Sequence, residues 1–256
     1  MMRAVLVVAV DAYMITRCTL FPRGTTRKKI SGDGPGLTAL MGGSLTVEST
    51  QGVGSRFTLE LELDEGDVVI NEVMWYGVNS QDDEGFDEFI ELRNTTDRWI
   101  DLDLWQISNE NDFVVGLPPG SRIAPNGLFT ILDHTLEPYA DGVPQDELSA
   151  FTNGDLVLNP FNDNRAARLY LKDANLELFL RDPRANIVDR AGDGGPAFAG
   201  GEDGRVVRSM ERDATPGDGT EPDSWHASRG SEGGENVNPE FRGEIVATPG
   251  EENSDG

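Results

Sequence analysis

An all-β chain, with an antiparallel β-sandwich as its main body, is the fold class this sequence predicts. Three observations carry that reading. Thirty glycines and fourteen prolines are spread through 256 residues together with many Asn and Asp, the supply of turn formers that many short strands require. Apolar and polar residues alternate over short runs, the two-residue period of a half-buried strand. No amphipathic helical stretch interrupts those runs after residue 67. The apolar fraction, 37%, is lower than in a typical globular protein, so the core is built from few residues.

The chain opens Met1-Met2-Arg3 and continues apolar from Ala4 to Val10, the start of a signal-peptide pattern. Asp11 interrupts it early and no small-x-small cleavage site follows. A buried strand is the better reading, because Val5, Leu6, Val7 and Val8 are strand formers. Arg17 spoils the lipid-attachment pattern that Ile15-Thr16-Arg17-Cys18 would otherwise suggest. Residues 44 to 63 read as a hairpin: Leu45 and Val47 alternate with polar neighbours, Gln51-Gly52-Val53-Gly54 turns, and Phe57, Leu59, Leu61 and Leu63 alternate again. Two strands alone are marginal in water, so this apolar face needs something to cover it.

The run Met41-Gly42-Gly43-Ser44-Leu45-Thr46-Val47, continued to Leu59, resembles the C-terminal end of the ATP-binding domain of sensor histidine kinases. Asp33-Gly34-Pro35-Gly36-Leu37 is similar to that family's Gly-rich nucleotide boxes. Asp33, Gly34, Gly36, Gly42 and Gly43 would be the remnant of its ATP site, since glycines let backbone amides approach phosphate. The family's lid, its Asn-bearing Mg²⁺ helix and its phospho-accepting His have no counterpart. The histidines are His134 and His226, far downstream. Kinase or ATPase activity is not expected. Residues 1–66 read as a fusion or assembly remnant, with a divergent histidine-kinase-like ATP-binding protein as the alternative.

Charge draws the same boundary. The net charge is −25, yet residues 1–66 carry seven basic and seven acidic side chains, leaving 14 basic against 39 acidic after Gly66. Such a surface repels phosphate backbones and anionic lipid, so neither nucleic acid nor a membrane surface is an expected partner. A single cysteine, Cys18, excludes an intrachain disulfide and a multi-Cys zinc site. No apolar run approaches the length of a membrane-spanning helix.

From Asp67 to the end, strands are predicted at 68–74, 86–92, 99–108, 113–117, 127–132, 167–172, 176–181, 187–189 and 206–210, with turn residues between them. Alternation is clearest in Ile100-Asp101-Leu102-Asp103-Leu104, where acidic residues would face water and apolar ones the core. The predicted core is Ile70, Phe89, Ile90, Leu102, Leu104, Phe129, Ile131, Leu169 and Leu171. Trp75, Trp99 and Trp105 are read as core as well; an exposed aromatic platform would need two of them on one solvated face.

Val69-Ile70-Asn71-Glu72-Val73-Met74-Trp75, then Asp87-Glu88-Phe89-Ile90-Glu91-Leu92-Arg93-Asn94, then Ile100-Asp101-Leu102 with Leu104-Trp105-Gln106-Ile107-Ser108 resembles the opening of a bacterial lamin tail domain. Leu117 to Ser121, Ile123 to Gly127 and Leu128 to Leu132 are similar to the strands and turns that follow. Ser209-Met210-Glu211-Arg212, Ser224-Trp225 and Thr248-Pro249-Gly250-Glu251-Glu252-Asn253 are similar to its end. The resemblance implies an immunoglobulin-like sandwich over 67–256; two long Gly/Asp-rich loop expansions, 133–165 and 191–247, depart from the family pattern and make the domain longer than the family core. It also implies a non-catalytic binding or scaffolding module, extracellular or at the cell envelope, whose partner is a protein or cell-surface component. It brings no catalytic residues, and fold likeness alone does not fix function.

Two acidic clusters remain. Asp82, Asp83 and Glu84 with Asp87 fall in one early loop; Asp189, Asp193 and Asp203, with Glu202, fall among glycines. Clustered carboxylates on irregular loops suit Ca²⁺, which takes six to eight oxygens. Solvated loop charge is the better reading of the same clusters. No other cofactor is expected, and a calcium-dependent adhesin-like surface protein is the alternative function they would support. His134 and His226 lack the spacing of a metal motif, and no Gly-x-Ser-x-Gly elbow supports a hydrolase triad.

Overall fold

The computed structural model describes backbone strands at 2–6, 26–30, 44–50 and 54–63, and then residues 65–77, 87–109, 113–133, 150–158, 169, 171, 174–230, 236–239 and 241–255. The chain divides into two compact units, Met1–Glu65 and Gly66–Gly256. In the first, β1 (Met2–Leu6), β2 (Thr26–Ile30), β3 (Ser44–Thr50) and β4 (Gly54–Leu63) form one antiparallel sheet in the order β1-β4-β3-β2. The expected hairpin is the β3/β4 pair, with Leu45 opposite Leu59 and Val47 opposite Phe57. Asp33, Gly34, Gly36, Gly42, Gly43 and Cys18 lie outside the described residues.

The second unit holds fifteen strands among its described residues. They are β5 (Val68–Met74), β6 (Phe89–Asn94), β7 (Ile100–Asp101), β8 (Gln106–Ser108), β9 (Val114–Gly116), β10 (Arg122–Ile123), β11 (Leu128–Asp133), β12 (Leu156–Leu158), β13 (Leu178–Arg181), β14 (Ile187–Ala191), β15 (Gly201–Asp203), β16 (Val206–Arg208), β17 (Met210–Arg212), β18 (Trp225–Ala227) and β19 (Ile245–Val246). One 3₁₀ turn, Pro222–Ser224, precedes β18, and no α-helix occurs among the described residues. The fold is all-β. A six-stranded sheet runs β12-β11-β6-β5-β17-β18 and a four-stranded one β14-β13-β8-β9; smaller sheets are β15-β16-β19 and β10-β7. Pairing is antiparallel except for β11/β12 and β16/β19.

Both faces of the six-stranded sheet are covered, and β5 is buried along its whole length. On one face the register sets Ile70 beside Leu92, Val73 beside Ile90 and Met210, and Phe129 and Ile131 beside Leu92 and Ile90. All are buried. β14 lies against β5 on this side, and the second sheet adds buried Ile107, Leu178, Leu180 and Val188. On the opposite face Met74, Phe89 and Leu132 pack with Ala150, Phe151, Val237, Ile245 and Ala247. The Phe89 and Phe151 rings meet edge to face, 4.8 Å between centroids.

A β-bulge at Asn71 makes this double coverage possible. Ile70 pairs with Leu92 and Glu72 with Glu91, so one extra residue is inserted in β5. Residues two apart in a regular strand share a face; across the bulge, Ile70 and Glu72 point to opposite faces.

Three sequence expectations are corrected. The single strand expected at 99–108 is two short strands, broken where Leu104 takes a positive φ of 63°. Leu104 is 62% exposed and outside the core, because a left-handed residue ends the alternation that would have turned it inward. The strand expected at 206–210 is β16 and β17, in different sheets. Buried Ser209 marks the crossing: its N–H donates to Val246 O and its carbonyl accepts from Ser228 N. Of the tryptophans, Trp105 is buried, Trp75 is partly buried with its indole N–H donating to Ala199 O, and Trp99 is 58% exposed beneath the Arg122 guanidinium. Leu169 and Leu171 are buried as expected; the rest of the strand expected around them lies outside the described residues.

Candidate binding site

The covered outer face of the six-stranded sheet carries an unusual row. Register places Thr130 on β11 beside Glu91 on β6, Glu91 beside Glu72 on β5, Glu72 beside Glu211 on β17, and Glu211 beside His226 on β18. Three glutamates thus stand side by side on adjacent strands, each fully buried. Isolated carboxylates in such a place are expensive unless each is neutral or surrounded by donors.

The donors come from the C-terminal residues, which cross the row as a strap. Thr248 N donates to Glu72 Oε1 at 2.9 Å, Gly250 N to Glu91 Oε2 at 2.6 Å and Ser254 N to Glu211 Oε2 at 2.9 Å. Thr248-Pro249-Gly250-Glu251 is a turn closed by Glu251 N donating to Thr248 O, with Gly250 at φ 78°, the geometry that favours Pro then Gly at the two central positions. Side chains add to it. Ser209 Oγ donates to Glu72 at 2.5 Å, Thr130 Oγ1 and Asn71 Nδ2 donate to Glu91, and Ser254 Oγ donates to Glu211. Asn253 ties the strap to β5 and β17 through Nδ2 to Asn71 O and Arg212 O, and Asn71 Nδ2 donates back to Asn253 Oδ1.

Burial raises the Glu72 pKa well above the usual carboxylate range, and the neighbouring Glu91 and Glu211 raise it further. Glu91 is pushed up to about 7, chiefly by burial, against the lowering effect of its Gly250, Asn71 and Thr130 donors. Thr248 Oγ1 lies 3.1 Å from Glu72 and 2.8 Å from Glu211. One hydroxyl proton cannot serve both oxygens, so one carboxyl supplies its own. The Glu72 environment favours that proton. At the end of the row His226 Nδ1 faces Asp213 at 2.8 Å, and Nε2 faces Ser254 O at 2.9 Å and Glu211 at 3.1 Å.

On the sandwich side Asp189 and Arg212 form a second buried polar group. Arg212 Nη1 lies 3.4 Å from Asp189 Oδ2, which accepts from Ile70 N at 2.7 Å. The guanidinium also stacks 4.8 Å from the Trp225 ring and donates from Nη2 to Gly217 O. Gly219 passes so close that a Cβ there would lie 2.3 Å from Arg212 Nη1 and 1.8 Å from Arg190 O. Burial raises the Asp189 pKa, and Arg212 opposes that shift.

Beside the carboxylate row, next along the outer face, Arg93 sits between Val69 and Leu128 in the register. Its side chain lines a recess of about 550 Å³ whose wall includes Asn126, Thr215, Glu252 and Asp255. Arg93 Nη2 donates to Asp213 O at 3.1 Å, its Nε is buried without a partner, and it forms no ion pair among the described residues. Burial and the like charge of Arg212 press its pKa down, against the opposing effect of the Glu91 carboxylate. Neighbouring Asn94 is occupied, with Nδ2 donating to Arg98 O and Ala124 O and Oδ1 accepting from Thr96 N.

Of the calcium candidates, Asp82, Asp83 and Glu84 lie outside the described residues. Asp87 is buried with φ 63°; Asp189 holds Arg212. Asp193 accepts from Gly195 N at 2.9 Å, and exposed Asp203 lies 3.6 Å from Arg208. Asp189, Asp193 and Asp203 each have a separate local partner. Among the described residues no three His, Cys, Asp or Glu side chains are arranged to hold a metal ion. The glutamate row and Arg93 were not singled out by the sequence. The available signal was a polar residue inside each apolar run: Glu72 in Val68–Met74, and Glu91 and Arg93 in Phe89–Asn94.

An immunoglobulin-like sandwich, with its outer face locked by a terminal strap, is the class of domain these features define. Residues 63–195 match the lamin tail domain model, just over half the chain, and the chain belongs to that family. A search of the curated proteins finds no match. Nothing in these comparisons supports the kinase resemblance of the first unit. β17, β18 and the strap lie beyond the matched residues, yet they complete the same sheet and cover its face.

Proposed function

We propose that the chain is a non-catalytic binding or scaffolding module, presented outside the cytoplasm or at the cell envelope, whose partner is a protein or cell-surface component. The state of the buried carboxylates supports this most directly. Glu72, Glu91 and Glu211 each accept hydrogen bonds from fixed groups of the strap and sheet. An acid–base catalyst must face its substrate and exchange protons with it; these groups face only their own fold. Their arrangement suits a rigid frame for exposed loops, where binding residues are commonly carried. The excess of acidic residues after Gly66 favours a partner with basic or neutral contact groups.

Presentation is tested by treating intact source cells with protease and following the chain by immunodetection. It should be degraded while a cytoplasmic control survives; protection until the cells are lysed would overturn that half of the reading. Binding is tested by sedimenting the purified full chain with fragments of the same envelope. Saturable sedimentation is expected. Its absence, or turnover of peptide, glycoside or phosphoester substrates by the purified chain, would overturn the other half.

A further inference from the structure

We infer that the Arg93 recess is a peptide-binding site, in which Arg93 takes a carboxylate while Glu252 and Asp255 at the rim take a neighbouring cationic group. The inference rests on the binding-module reading above and gives it a location and a ligand chemistry.

Arg93 is where the charge pattern of this molecule breaks. Acidic residues outnumber basic ones by 46 to 21, yet among the described residues the partly buried Arg93 guanidinium forms no ion pair and spends one hydrogen bond on a backbone carbonyl, while Glu91, the carboxylate that acts on it electrostatically, is already engaged by Gly250, Asn71 and Thr130. Arg212, on the other face of the same sheet, is by contrast ion-paired to Asp189, stacked on Trp225 and bonded to two carbonyls. A guanidinium out of bulk water gains most from a carboxylate, which matches its planar fork. The recess beside it has room for one or two amino-acid residues and offers further polar groups. The Asn126 amide and the Thr215 hydroxyl make no hydrogen bond among the described residues, and both residues are exposed on the wall. Leu128, Ala214 and Pro216 supply a small apolar surface between them.

The rim narrows the ligand class. Glu252 and Asp255 are exposed at the mouth of the same recess. Their charge repels phosphate, sulfate and polyuronate chains, which bring more than one negative group, and attracts a cation placed beside the single carboxylate. Acid and base side by side is a feature of peptide segments. The floor is rigid, because Arg93 belongs to a central strand and Asn94 is pinned to the Arg98 and Ala124 carbonyls. The strap supplies the opposite wall through residues 252–255, so the recess and the carboxylate row share one structural element.

The test uses the isotope-labelled full chain and three probes: N-acetyl-Glu-Lys-amide, N-acetyl-Gln-Lys-amide and oligogalacturonate, each titrated by amide NMR. The Glu-Lys probe should bind in the millimolar range expected of so small a ligand, shifting the Asn126 and Thr215 signals. Exchange of Glu for Gln in the probe, or Arg93→Gln in the protein, should weaken it at least tenfold. The double variant Glu252→Gln/Asp255→Asn should cut binding of the Glu-Lys probe about threefold while improving oligogalacturonate binding. Thermal melting shows whether Arg93→Gln is folded, and the probe exchange gives the same answer without any variant. Equal binding of the Glu and Gln probes, shifts confined elsewhere, or tighter binding of oligogalacturonate would each overturn the inference. If Arg93→Gln loses the peptide but still sediments with envelope fragments, the recess is not the envelope contact; if neither binds anything, the module reading falls with it.

Discussion

Glu72 and Glu91 stand directly opposite one another on neighbouring strands, both buried, and both take a hydrogen bond from the same turn of the C-terminal strap, through Thr248 N and Gly250 N. Like charges in directly opposed positions repel, so the pair cannot be ionised on both sides without loss. The fold resolves this by keeping protons in the row and surrounding the remaining charge with donors.

Stability should therefore fall as pH rises across the range in which these protons leave. In the unfolded chain Glu91 loses its proton near its ordinary value of 4.5; in the folded chain it holds the proton until about 7. The native state binds more protons in between, so its advantage is complete below about pH 4.5 and lost as pH passes 7. A shift of this size corresponds to roughly 3 kcal/mol at most. Urea unfolding of wild type and Glu91→Gln from pH 4.5 to 8 checks it. The slope should flatten in the variant; an unchanged slope would show that Glu91 is not the group that titrates.

Thr248→Val removes the hydroxyl that bridges Glu72 and Glu211 while keeping the side-chain volume. It leaves acceptors unpaired in a buried site, at a cost of about 1–3 kcal/mol. Chemical denaturation should report that loss, and hydrogen exchange at Gly250 and Ser254 should accelerate as the strap loosens.

Asp189→Ala should be the most damaging of the single changes considered. It strands the buried Arg212 guanidinium and removes the acceptor for Ile70 N. Breaking one side of a buried ion pair costs about 3–5 kcal/mol. Pairing it with Arg212→Met should recover part of the loss, measured as a double-mutant cycle; a strictly additive cycle would argue against the pair.

Leu104 offers the opposite outcome. It is exposed and left-handed, φ 63°, a conformation costing a non-glycine residue about 1–2 kcal/mol. Leu104→Asn, a residue that tolerates this region, should raise the melting temperature by a few degrees. A fall would mean that Leu104 makes contacts that outweigh the strain.

Much of the frame was legible because it depends on alternation. The limits of β5 agree with the sequence expectation, and Ile70, Ile90, Phe129 and Ile131 are buried as their patterns imply. The positive φ at Leu104 leaves no mark in composition, so the break between β7 and β8 went unseen. The carboxylate row was hidden for a different reason. It exists only in the register of five strands, and the Asn71 bulge turns Glu72 to the face that simple alternation assigns to its neighbours. The Thr248-Pro249-Gly250-Glu251 turn was readable as a turn, but the three carboxylates it would meet lie 37 to 176 residues earlier.

That separation bears on how the chain is made. Asn71 on the first strand of the sandwich is bonded to Asn253, 182 residues later, and the glutamates around it lack their backbone donors from the strap until it arrives. Contacts this distant in sequence are formed late and slowly. During synthesis the early strands must wait for residues 248–254 to emerge, with polar groups that are costly to bury held open to water. Closure of the strap would then be the final step of folding, and loss of a few residues there would keep an otherwise complete sandwich from finishing.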